Sequence, residues 1–157
     1  MGYTHYWTFN KGKRGTAAET EAAYQQAMLD CAKVVRYYYE REGGISGYTA
    51  HTKPGTYGGL NFNGKGEDGY EPFIMREHYN QNDRSSFCKT GRQPYDILVV
   101  ACLSVLAYRL GDAISVYSDG GDSDWHDGVN LAQTVLRRKV TVPTTIKQVK
   151  GKGEVAV

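Results

Sequence analysis

The chain has 157 residues, 40% hydrophobic and 23% charged, ordinary values for one soluble domain that exclude collagen, coiled coil and global disorder. Nineteen Lys and Arg against 17 Asp and Glu leave a net charge of +2, too even for a non-specific DNA binder. Three cysteines, Cys31, Cys88 and Cys102, argue against a disulfide framework and for a reducing cytoplasm.

The start, MGYTHYW, has neither the charged nor the apolar part of a signal peptide. Tyr3 to Phe9 alternates and is rich in aromatic residues and Thr, so it reads as a strand. Tyr3, His5 and Trp7 share one face of it, and Thr4, Tyr6 and Thr8 the other. Thr16 with Glu19 forms a capping box ahead of apolar residues at helical spacing, which predicts a helix over 17–41 ended by Gly43 and Gly44. Residues 43–69 hold nine glycines and a proline and read as a long loop with one strand at Gly59–Asn63, to which Phe73–Arg76 pairs. Glu77 to Ser86 reads as irregular. Pro94 opens a second helix, apolar nearly all round from Ile97 to Tyr108 and stopped by Gly111. That apolar run is too short to span a bilayer, which takes about 20 residues. Ala113–Ser118 is a short strand, and Asp124 is the expected cap of a third helix carrying Trp125, Val129, Ala132, Val135 and Leu136. Residues 139–157 read as an extended or flexible tail behind a single domain over 1–138.

The predicted order, β-α-β-β-α-β-α, is α+β: a ferredoxin-like split βαβ antiparallel sheet with an added C-terminal helix.

Three segments carry candidate binding chemistry. Lys89, Thr90 and Arg92 run into the start of the second helix. Gln93 is a poor cap there, so a phosphate could take the free N–H groups; Asp96 in the first turn is the competing satisfier of the same dipole. The face of Tyr3, His5 and Trp7 could stack a base, or could be the core side of the sheet. In SDGGDSDWHD, Ser118 and Asp119 beside two glycines suit ribose hydroxyls, with Trp125 near for stacking. That acidic run lacks the ligand spacing of a calcium loop, so neither metal nor cofactor is expected. Arg84 is a further candidate cation for the ligand. No HExxH, CxxC or GxSxG occurs, and no His-x-Thr/Ser pair stands for a two-histidine phosphoesterase. Cys88 beside Lys89 is either a thiol of lowered pKa or a structural side chain.

MGYTHYW, FCKTGRQPYD and SDGGDSDW resemble a family of small phage and prophage proteins, over roughly residues 1–138. The resemblance carries no site residues. By context it implies a cytoplasmic sponge of the anti-Thoeris or anti-CBASS type, which sequesters a host immune signal such as an ADP-ribose derivative or a cyclic nucleotide. The expected partner is therefore a phosphorylated nucleotide-type small molecule, with no membrane and no nucleic acid, and self-association is left open. Two other classes stay open: a hydrolase of such a signal using His5 or His126 as base, and an inhibitor that covers a host protein.

Overall fold

The computed structural model describes residues 2–12, 15–50, 59–80, 86–143, 149–150 and 154–155. The class is α+β. Strand β1 (Thr4–Phe9) leads to helix α1 (Ala17–Glu42). Three antiparallel strands follow, β2 (Ile45–Ala50), β3 (Leu60–Gly64) and β4 (Phe73–Met75), then β5 (Ser86–Lys89). Helix α2 (Asp96–Leu110), strand β6 (Ile114–Ser118) and helix α3 (Asp122–Leu136) complete the body. A two-residue pair, β7 (Val149–Lys150) with β8 (Glu154–Val155), lies in the tail.

β1 is the central strand of one sheet, antiparallel to β5 on one side and β6 on the other. β5, which pairs with β1, is not one of the four strands expected for the split βαβ arrangement. The described pairings differ from it in the rest as well: β2, β3 and β4 bond among themselves as a second three-stranded sheet. The segment leading into β4 meets β5 through a backbone hydrogen bond, from the Glu71 N–H to the Lys89 carbonyl at 3.1 Å.

Helix α1 starts as its sequence dictates. The Thr16 hydroxyl takes the Glu19 N–H, and the Glu19 carboxylate takes the Thr16 N–H. Its stripe of Tyr24, Ala27, Met28, Cys31, Val34 and Val35 is buried. Helix α2 is apolar on nearly every face because it packs against both α1 and α3. Gly128 permits the second contact: a Cβ there would stand 2.5 Å from Val100 Cγ1. Arg109 of α2 bonds Asp30 of α1 at 2.8 Å, a largely buried pair.

Several boundaries depart from the expected ones. β2 falls in a stretch that reads as loop, and β5 in one that reads as a flexible basic approach to a helix. Helix α2 begins at Asp96, because Pro94 and Tyr95 belong to a turn closed by the Asp96 N–H on the Gln93 carbonyl. The cap of α3 is Gly121, not Asp124. Asp124 is the third residue of the helix, and its carboxylate accepts the Gly121 N–H at 2.9 Å. Packing also continues past residue 138, since Val140 is fully buried. Among the described residues, no helix is long and apolar enough to cross a membrane.

Candidate functional site

The residues singled out in the sequence come together only in part. Tyr3, His5, Thr90, Arg92, Ser118, Asp119 and Trp125 gather at one end of the β5-β1-β6 sheet, where β1 begins and the loops leaving β5 and β6 turn into α2 and α3. Trp7 lies further along β1 against Phe73. Lys89 points to the opposite sheet face. Arg84 lies outside the described residues.

The cluster is organised by one buried hydroxyl. Ser118 Oγ accepts the Gly120 N–H at 2.9 Å and the Trp125 Nε1–H at 3.2 Å. Both lone pairs are then occupied, so its own proton goes to His5 Nδ1, 2.8 Å away. This makes Nδ1 the acceptor and Nε2 the protonated nitrogen, which donates to Asp96 Oδ1 at 2.7 Å. The Thr90 hydroxyl donates to the same carboxylate oxygen at 2.5 Å. A Ser–His–Asp series therefore exists, but Ser118 and His5 are both fully buried and every hydrogen-bonding position of the serine is used. The arrangement braces the strand ends and offers no free nucleophile or base. His126, the other histidine considered as a base, is exposed on α3 away from this brace.

Trp7 and Trp125 are 3% and 0% exposed, so both are core side chains rather than stacking plates. Trp125 packs edge-on against His5, with ring centres 5.4 Å apart. Asp119 holds the β1 start: its carboxylate takes the Thr4 N–H at 2.9 Å and its own N–H bonds the Thr4 carbonyl. The ribose role expected for it is thus taken by backbone. At the α2 start the Asp96 carboxylate is spent on the His5 and Thr90 side chains and no side chain caps the helix, whereas at the α3 start the Asp124 carboxylate takes the Gly121 N–H. Arg92 has a left-handed backbone, φ 60°, that turns its guanidinium over the Tyr3 ring at 3.9 Å and within 3.3 Å of Asp124. The Gly121 N–H, followed by Arg92, holds the Asp124 carboxyl below the usual carboxylate range. Burial, then the Glu71 and Asp96 charges, pushes the Cys88 thiol up to about 12, against the lowered value that nucleophilic chemistry needs. Among the described residues, no three His, Cys, Asp or Glu side chains stand together as metal ligands.

Tyr3 contains the one unresolved polar atom of the cluster. Its hydroxyl is buried beside Ser118, whose oxygen has no capacity left, and it makes no hydrogen bond among the described residues. It sits where a Cβ on Gly120 would be, 2.0 Å from that position, so only glycine fits there. Burial, with the Asp96 and Asp124 charges, pushes the phenol up to about 12. A buried unpaired donor costs about 1–3 kcal/mol. Tyr3→Phe is therefore expected to raise stability, by about 1 kcal/mol in urea unfolding. The sign of the pH dependence follows from the raised value: the folded state holds the neutral phenol more tightly than the unfolded chain does, so wild-type stability is constant below the ordinary phenol value of 10.0 and falls as pH rises toward about 12. Tyr3→Phe should lose less stability than wild type over that alkaline interval.

The opposite face of the same sheet holds a feature that sequence reading missed. Register places Phe87 of β5, Tyr6 of β1 and Tyr117 of β6 in one row across three strands. Their neighbours on each strand, Cys88, His5 and Ser118, are fully buried, so the row faces outward. Phe87 is 61% exposed and its ring centre is 6.5 Å from that of Tyr6. Lys89 lies on the same face beside Thr4. Its stem crosses Gly2, where a Cβ would meet Lys89 Cε at 2.5 Å, and its ammonium is 5.4 Å from the Tyr70 ring centre. Glu71, which lies just before β4, spends a carboxylate oxygen on the Lys89 N–H at 2.8 Å. Tyr6 was visible on the second face of β1. Its partners come from distant strands, and only pairing brings them alongside.

No known family model, curated protein or solved structure matches this chain.

Proposed function

We propose that the protein binds a nucleotide-derived signal on the outer face of the β5-β1-β6 sheet and holds it without turnover, as a phage-encoded sponge. The observation that carries this reading is the row Phe87–Tyr6–Tyr117 with Lys89 at its edge. Aromatic rings on an open sheet stack planar bases, at about 1–3 kcal/mol per base, and an ammonium beside them suits a phosphate. The absence of turnover is supported by the fully engaged Ser118 and His5, which leave the Ser–His–Asp series seen among the described residues without a free proton acceptor.

Lys89→Ala is expected to weaken binding of ADP-ribose by about 1.5–3 kcal/mol in calorimetric titration, the scale of a charged hydrogen bond. Arg92→Ala, whose guanidinium is committed to Tyr3 and Asp124, should change affinity by less than about 0.5 kcal/mol. Folding should be little affected by Lys89→Ala. The functional test is recovery: protein incubated with ADP-ribose or a cyclic dinucleotide, then heated, should release the ligand intact by mass spectrometry. Release of a cleaved product would favour the hydrolase reading, and no retention of any nucleotide would remove the sponge.

A further inference from the structure

We propose that the slot between β4 and β5 receives the base of that ligand edge-on, with the backbone of Phe87 as its hydrogen-bonding partner; this rests on the nucleotide reading above. The two sheets are joined at Glu71 and Lys89 and then part. The opening has a volume of about 230 Å³, with Trp7 and Phe9 at its base, Pro72 and Ile74 along one side, and Ser86 and Phe87 along the other. Drug-sized pockets run from about 300 Å³ upward, so the slot suits one ring system rather than a whole dinucleotide.

Backbone alternation provides the chemistry. The Thr90 N–H bonds the Tyr3 carbonyl, which makes Tyr3–Thr90 a directly bonded pair. Along the register, His5–Cys88 and Trp7–Ser86 are then bonded, and Lys89 and Phe87 turn their N–H and C=O groups away from β1. Lys89 confirms the direction, since both of its groups are taken by Glu71. Phe87 has the same outward pair and no such partner among the described residues. In an extended strand the N–H and C=O of one residue lie side by side. The Watson–Crick edge of a base offers a donor beside an acceptor and matches them. Strand addition by a peptide needs several such residues in succession. Here Lys89 is already occupied and Pro72 has no N–H, so a single matched pair remains, which fits a base edge and not a strand. A base held this way sits at the Phe87 end of the row and not over Tyr6 and Tyr117, and its sugar and phosphates run across the outer face toward Lys89.

The test compares ADP-ribose with its N6,N6-dimethyladenine and 7-deazaadenine analogues by calorimetry on the wild-type protein. Dimethylation removes the donor and blocks the edge, and is expected to weaken binding by about tenfold or more, while the 7-deaza change leaves affinity within about twofold. Phe87→Pro and Phe87→Ala both lose the ring, but only proline loses the N–H, at an edge position outside the β1 ladder. Phe87→Pro should bind more weakly than Phe87→Ala. Equal affinity for the dimethyl analogue overturns the slot while leaving the sponge standing. If no ADP-ribose analogue binds at all, both readings fall. If Phe87→Pro does not fold, the analogue series on the wild type decides.

Discussion

Ser118→Ala is expected to destabilise the protein by about 3–5 kcal/mol in urea unfolding. The change removes one oxygen and leaves three buried groups without a partner: His5 Nδ1, the Gly120 N–H and the Trp125 Nε1–H. Each such loss costs about 1–3 kcal/mol, and sharing one site makes the total less than additive. The loss should propagate to the Asp96–Thr90 contact through His5, because the imidazole is aligned from both ends. Ser115→Ala is the matched control. Ser115 sits on the same strand but is only partly buried, and it has the Asn10 amide as a partner at 2.8 Å. It should cost no more than about 1 kcal/mol. A Ser118→Ala protein as stable as Ser115→Ala would show that the Ser–His–Asp series is not the brace of the sheet end.

Trp125→Ala should be comparably costly, at about 3–5 kcal/mol, the usual range for a large aromatic residue cut to alanine in a core. Trp125 is fully buried where α3 closes over the start of β1, and its indole contacts His5 by ring edge and Ser118 by hydrogen bond. Trp125→Phe should recover part of the packing but not the hydrogen bond. Both variants, measured well below their melting temperatures, should bind ADP-ribose as the wild type does. A variant that lost affinity while keeping its stability would return Trp125 to the ligand as a stacking plate.

The helices were legible in the sequence because their determinants are local. Thr16 with Glu19, the stripe from Tyr24 to Val35, and Gly43 lie close together along the chain and specify α1 without help from elsewhere. The alternation of β1 was legible for the same reason. Its two faces were both visible, but which face is core is a property of what packs on it. His5 reads as a ligand or as a core residue until Asp96 and Ser118, from other elements, occupy both of its nitrogens. β5 was not legible. Ser86–Phe87–Cys88–Lys89 has four residues, one of them charged, and it becomes a strand only because β1 offers it a register. With β5 unseen, Phe87 could not be set beside Tyr6. The outer row was hidden with it, and the binding chemistry legible in the sequence lay in the loop after Lys89. The split of the strands into two sheets was hidden too, since it depends on pairing toward β5 ending after Glu71, where Pro72 offers no N–H.

The division of labour between the two sheet faces is tested most directly by following backbone and side-chain NMR shifts during titration with ADP-ribose. The account predicts the largest shifts at Tyr6, Phe87, Lys89 and Tyr117, with Thr90, Ser118 and the indole N–H of Trp125 near their free positions. Shifts concentrated instead at Thr90, Arg92, Ser118 and Trp125, with the Phe87 row unmoved, would contradict it and place the ligand at the loop end.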